Sequence, residues 1–124
     1  VAQFSARALH EKDGFPLPVE VIENGIDVLA YDPAADKRQA KHHVGLDPSR
    51  RHIACIARFH PVKDHAMLLR AFAAVATRVP DVDLVLAGDG PLRSALELQA
   101  VELGVADRIL FLGVQESEGY DPPL

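Results

Sequence analysis

Two strand-to-helix alternations between His52 and Gly113 predict an α/β fold, a parallel sheet flanked by helices. Three apolar runs of strand length, residues 52–57, 82–87 and 108–112, are separated by two segments of helical periodicity. Strand, helix, strand, helix, strand is the repeat of a parallel sheet, and its crossovers are right-handed. The runs are apolar nearly throughout, which is how strands covered on both faces read.

The elements follow in order. Over residues 1–20 the pattern is weak; Phe4, Ala8 and Leu9 line one face of a helix, with Ser5 and Arg7 outside it. Gly14, Pro16 and Pro18 then forbid a regular element. Residues 19–22 read as a short strand, ended by a turn at Asn24-Gly25, and residues 26–33 as extended or irregular. A helix is expected over 33–44, stopped by Gly45. After the strand at 52–57 a helix over 64–78 carries Met67, Leu68, Ala71, Phe72 and Val75 at helical spacing, and Pro80 lies just beyond it. Gly88-Asp89-Gly90 is a tight turn after the second strand, and Pro91 suits a first helical turn. The helix over 92–103 has Leu92, Ala95, Leu96 and Leu103 as its stripe and Gly104 as its C-cap. The expected organisation is therefore a linker with short helices over 1–50, a βαβαβ core over 51–113, and an irregular tail over 114–124.

The chain has 124 residues, enough for about one domain. With 48% hydrophobic and 25% charged residues it reads as a globular protein and not a disordered one. Its net charge of −5 argues against a nucleic-acid-binding surface. Cys55, the single cysteine, cannot form an internal disulfide and sits in a strand expected to be buried, which suits a reducing compartment and an inert thiol. No apolar run approaches the ~20 residues that span a bilayer, no signal peptide is visible, and the expected location is cytoplasmic. The chain starts without Met, so a piece of a longer protein or a processed product is expected.

Both strand-to-helix loops carry chemistry. Ala57-Arg58-Phe59-His60-Pro61-Val62-Lys63 sets two cations at the carboxyl end of the first strand, where ligands bind in open α/β sheets. A guanidinium fork and an ammonium beside a helix N-terminus suit a phosphate or diphosphate. The second loop, Gly88-Asp89-Gly90-Pro91, leads into another helix N-terminus, and its glycines admit a ligand close to the backbone. Parallel strands put both loops on one edge. Neither a G-x-G-x-x-G fingerprint nor a P-loop is present. His42 and His43 point apart on a helix, and His60 and His65 flank Lys63, so no metal site is expected; His60 reads as a solvated loop residue or a ligand contact. Asp81 and Asp83 bracket a strand start, and Glu97 and Glu102 lie on a helix face beside Gln99, all read as surface. No carboxylate pair or G-x-S-x-G elbow suggests acid/base or serine chemistry.

The run from Val21 to Gly113 resembles the C-terminal, donor-binding half of GT-B glycosyltransferases, in particular glycosyltransferase family 4 (group 1). Val21-Ile22-Glu23-Asn24-Gly25-Ile26-Asp27 is similar to the family's V-I-x-N-G-I-D segment between domains. Residues 57–64 resemble G-R-L-x-P-x-K-G, with Ala57 and Asp64 in place of the two glycines. Residues 84–93 resemble L-V-L-x-G-D-G-P-L-R, and residues 107–113 resemble D-R-V-x-F-L-G.

The resemblance implies a Rossmann-like, partial GT-B C-terminal domain. It implies transfer of a sugar, with retention, from a nucleotide diphosphate sugar, without a metal or other cofactor. Arg58 and Lys63 would bind the diphosphate and stabilise the leaving group. Gly88, Asp89, Gly90 and Pro91 would lie at the nucleotide pocket, and Val114 near the base. Ser117-Glu118-Gly119-Tyr120 is similar to the start of the family's E-x7-E donor motif, with Glu118 as its first acid, but follows Gly113 too closely and ends before the second. A truncated chain is implied, lacking the N-terminal acceptor domain and inactive alone, with a peripheral acceptor at the inner membrane face as a partner. A three-stranded sheet would also leave an edge and an apolar face uncovered, so self-association is expected. Two other readings stay open: a non-catalytic nucleotide-sugar-binding or regulatory module of the same fold, and an unrelated flavodoxin-like interaction domain.

Overall fold

The computed structural model describes residues 2–25 and 36–115, and the chain divides into two compact units, Val1–Asp36 and Lys37–Leu124. In the first, α1 (Ala2–Glu11) ends in a turn held by Phe15 N–H on the Leu9 carbonyl at 3.0 Å. No strand forms at 19–22; that stretch is irregular, with Ile22 exposed. The strand residues are there, but a strand needs a neighbour to take its N–H and C=O groups, and all three strands among the described residues pair with one another in the other unit. The expected extended stretch at 26–33 lies outside the described residues.

The second unit begins with α2 (Lys37–His43), inside the helix expected over 33–44. The sheet then forms from β1 (Arg51–Ile56), β2 (Val82–Ala87) and β3 (Ile109–Gly113) in the order β1-β2-β3, all parallel. Two helices make the crossovers, α3 (His65–Ala76) and α4 (Arg93–Glu102). Short 3-10 turns at Pro61–Lys63 and Ala106–Arg108 precede α3 and β3. Arg51 pairs with Val82 and Ile56 with Ala87; Leu84 pairs with Ile109, and a bulge after Leu86 brings Ala87 opposite Gly113.

Alternation along the central strand decides where the core lies. Val82, Leu84 and Leu86 pack with Leu69 and Phe72 of α3 and with Leu96 and Ala100 of α4. The buried stripe of α3 is His65, Leu69 and Phe72; Met67, Ala71 and Val75, read as core from their spacing, are exposed. On α4 Ala95 is exposed and Ala100 buried, one helical step from the expected stripe. Gln99 of α4 is not solvated either: its amide donates to the Ala66 carbonyl on α3 at 3.0 Å.

Every residue of β2 is buried, but β1 is an edge strand, and the expectation of strands covered on both faces fails there. Ile53 on the helix side is 43% exposed, and Ile56 on the reverse side is 83% exposed. The composition of β1 is that of an inner strand, while its position among the described residues is an edge.

The amino edge of the sheet is held by charge. Asp83, read as surface, is buried at 6% exposure. Arg50 grips it through Nε on Oδ2 and through Nη2 on Oδ1 at 2.7 Å, and Arg108 donates to Oδ1 at 3.0 Å. These bonds hold the Asp83 carboxyl below its ordinary range, Arg50 foremost, against the opposing effect of burial. Arg108 also donates to the carbonyls of Val79 and Val82, tying β3 to the approach of β2.

Candidate functional site

The carboxyl ends of all three strands converge on one open cleft of about 410 Å³, lined by Ile56, Ala57 and Arg58 after β1, Ala87, Gly88 and Asp89 after β2, and Val114 and Gln115 after β3. Four expected site residues, Arg58, Gly88, Asp89 and Val114, meet there. Arg58 is exposed, and so is Val114. Lys63 ends the 3-10 turn and is exposed, but it is not among the residues lining the cleft. Pro91 is exposed in the turn before α4. Glu118 lies outside the described residues.

The two loops fit together through backbone. Phe59 N–H donates to the Asp89 carbonyl at 2.9 Å, and the Phe59 carbonyl accepts from Leu92 N–H at 3.3 Å. Gly88, at φ +140°, has the Ala57 carbonyl oxygen 2.1 Å from where a Cβ would stand. Gly90 has the Phe59 carbonyl oxygen at 2.5 Å from its would-be Cβ. These glycines therefore serve the close approach of one loop to the other, where the sequence had suggested the approach of a ligand.

Asp89 is committed within the turn. Its Oδ1 accepts from Gly90 N–H at 2.7 Å and its Oδ2 from Arg93 Nη1 at 3.2 Å. Arg93 also donates to Glu97 at 2.9 Å, and these two carboxylates raise its pKa, Glu97 first. Sequence reasoning gave Arg93 no role, although the Asp89, Arg93, Glu97 spacing of four was readable as a run of helical ion pairs.

The cationic loop has its own supports. His60 Nδ1 accepts from Val62 N–H at 3.4 Å, so this ring caps the 3-10 turn. Asp64 adopts the left-handed conformation, φ 48° and ψ 47°, and caps α3 by accepting from Met67 N–H at 3.2 Å. An acid stands here because it tolerates that backbone and offers the cap. Phe59 is fully buried, edge-to-face with His65 at 5.0 Å and with Phe111 of β3 at 6.0 Å. Burial, and secondarily the charge on Lys63, push the His65 pKa below its ordinary value.

Among the described residues no group of three His, Cys, Asp or Glu side chains is placed to hold a metal ion. None of the described helices is long and apolar enough to cross a membrane. The arrangement offers one exposed cation at the cleft, a second on the adjoining turn, and exposed apolar surface from Ile56 and Val114. Those elements suit an anionic head attached to a flat, partly apolar body.

Comparison with known proteins agrees with this chemistry. The family model described as glycosyl transferases group 1 matches residues 36–120. EpsF of Bacillus subtilis (strain 168) is 41% identical over 101 residues, covering 79% of this chain and 26% of EpsF. A D-inositol 3-phosphate glycosyltransferase of Mycolicibacterium gilvum is 36% identical over 117 residues, 90% of this chain and 25% of that protein. The crystal structure of Anabaena HepE in complex with UDP and glucose superposes with a TM-score of 0.65 at 26% identity, over 77% of this chain and 27% of HepE. The chain thus spans about a quarter of the length of the relatives it matches.

Proposed function

We propose, for a chain that belongs to the family of group 1 glycosyl transferases, that residues 51–113 form the donor-binding core of a retaining glycosyltransferase. The observation that carries this reading is the convergence of Arg58, Gly88, Asp89 and Val114, from three strand ends, on one cleft at the carboxyl edge. The donor is a nucleotide diphosphate sugar, the class of ligand named for the HepE complex by its UDP and glucose.

In this reading Arg58 and Lys63 hold the diphosphate. As the bond from the anomeric carbon to the diphosphate oxygen breaks, negative charge grows on the leaving group. Two cations at that oxygen then stabilise the transition state more than the ground state. Gly88, Gly90 and Pro91 set the backbone against which the nucleotide lies, with Asp89 locking that turn through Arg93. Val114 and the backbone after it face the base, and Glu118 contacts the donor sugar. Residues 1–50 link this core to an acceptor-binding domain, and residues 114–124 begin the remaining donor-binding region. The acceptor is held at the cytoplasmic membrane face by that other domain. With β1 open at the edge and Ile53 and Ile56 exposed, the isolated chain self-associates.

Titration of the chain with UDP-, GDP- and ADP-sugars tests the reading. One of them is expected to bind, and Arg58→Ala or Lys63→Ala is expected to weaken it roughly 10- to 100-fold, the worth of a charge-assisted hydrogen bond. Binding that survives both substitutions unchanged would refute the assigned roles.

A further inference from the structure

The residue that most closely supports the cationic loop is one the proposed mechanism does not use. The loop leaves β1 after Ile56 and enters α3 at its N-cap, Asp64. Its two ends are joined beneath by the rings of Phe59 and His65, 5.0 Å apart and inclined at 75°. Phe59 stands directly between Arg58 and His60, and His65 two residues beyond Lys63. Phe59 is in turn seated on Phe111 of β3 and tied by its backbone to Asp89 and Leu92. Arg58 adjoins the ring pair through Phe59, and Lys63 adjoins it through Asp64 and His65.

His65 is 1% exposed. Its Nε2 faces the Cys55 thiol of β1 at 3.9 Å, and its Nδ1 is buried with no hydrogen-bond partner. The titratable and charged groups that interact with it are that thiol and the Lys63 ammonium, and the Phe59 ring packs against it. A neutral imidazole is accommodated there. An imidazolium would carry two N–H donors with no carboxylate or carbonyl to receive them, next to a second cation.

We propose that uncharged His65 is the positioning residue of the Arg58–Lys63 loop, and that protonation of this one imidazole releases the loop and the donor diphosphate with it. The proposal rests on the donor-binding reading above and adds a control to the same site. The direction of its titration agrees: burial, and secondarily Lys63, disfavour the charged ring, so the release lies on the acid side of an ordinary histidine's titration. Below the midpoint one proton competes with one ligand, and affinity falls up to tenfold per pH unit.

The experiment titrates whichever of UDP-, GDP- and ADP-glucose binds this chain at pH 7.5, over pH 5 to 8. A nucleotide diphosphate sugar has no phosphate monoester to titrate in that range, so the inflection belongs to the protein. The wild type is expected to show a single acid-side inflection. His65→Phe, which keeps a ring against Phe59 and cannot take a proton, is expected to bind with an affinity independent of pH. His60→Asn, altered in the same loop, is expected to retain the inflection. An inflection that persists in His65→Phe, or disappears in His60→Asn, overturns the proposal. Should His65→Phe fail to fold, His65→Leu gives the same reading. If no nucleotide sugar binds at pH 7.5, the donor reading fails, and NMR of the unliganded chain still decides this one. The amide signals of Arg58, Phe59, His60, Val62 and Lys63 must then move with the midpoint of the His65 ring. Amides that stay fixed while the ring titrates refute it.

Discussion

Replacing Gly88 by alanine separates two costs that usually come together. At φ +140° a side chain strains the backbone, about 1–3 kcal/mol for a residue held outside its favoured regions. The new Cβ would also stand 2.1 Å from the Ala57 carbonyl oxygen and 2.9 Å from its carbon. Both are backbone atoms, so no rotamer change relieves the overlap. The ends of β1 and β2 must part, and two hydrogen bonds are at risk, Ala57 N–H to the Ala87 carbonyl at 3.0 Å and Gly88 N–H to the Gly113 carbonyl at 2.6 Å, each worth about 1 kcal/mol. The expected loss is roughly 3–5 kcal/mol, a large share of the 5–15 kcal/mol that stabilises a typical domain. Gly104 supplies the control. It too has a positive φ, +69°, but nothing lies within 4 Å of its would-be Cβ, so Gly104→Ala feels only the strain, about 1–2 kcal/mol. Urea denaturation followed by far-UV circular dichroism measures both. If Gly88→Ala is no more destabilising than Gly104→Ala, the interlock of the two loops is not what demands glycine.

Four further outcomes are expected. Asp83→Asn breaks a buried carboxylate from Arg50 and Arg108 and should cost about 3–5 kcal/mol by the same assay, whereas Asp81→Asn, at the exposed pair with Arg51, should leave the midpoint where it is. Because the folded Asp83 has its pKa lowered below 3.8, its contribution is complete above that value and is lost as pH falls through the folded pKa; an acid-denaturation profile of Asp83→Asn should therefore be flatter than that of the wild type. Asp64→Ala loses the cap and keeps the left-handed backbone, costing about 2–3 kcal/mol, while Asp64→Gly loses the cap but relieves the strain and should stay within about 1 kcal/mol; equal losses in thermal melts would show that φ 48° is not strained. Ile56→Lys should lower self-association in sedimentation without moving the melting temperature, since Ile56 is exposed in the folded unit.

The elements that could be read from the chain are those whose signal is local. All three strands lie within one residue of the bounds the sequence predicts, because runs such as Val82 to Ala87 are mostly aliphatic and bounded by turn residues. Gly88, Gly90 and Gly104 marked the turns that followed. The placement of Arg58 at the carboxyl edge is legible by the same logic, since parallel strands place their loops on one edge. The strand expected at 19–22 does not form: its residues have strand preference, but among the described residues none pairs with them, a fact that no local pattern contains. Met67, Ala71 and Val75 were assigned to the core because several faces of α3 are apolar, and only its orientation on the sheet selects the face with Leu69 and Phe72.

Composition and order, then, determined that a parallel sheet would form and which loops would share its carboxyl edge, since hydrophobic period and turn residues act over a few neighbours. Tertiary packing decided what those loops are made of. It assigned Gly88 and Gly90 to the contact between the loops, turned Asp89 toward Arg93, buried Asp83 between two arginines, and set His65 against Phe59 and Cys55. Each of these depends on atoms brought together from distant parts of the chain, where the exclusion of water sets the cost of a clash or an unpaired charge.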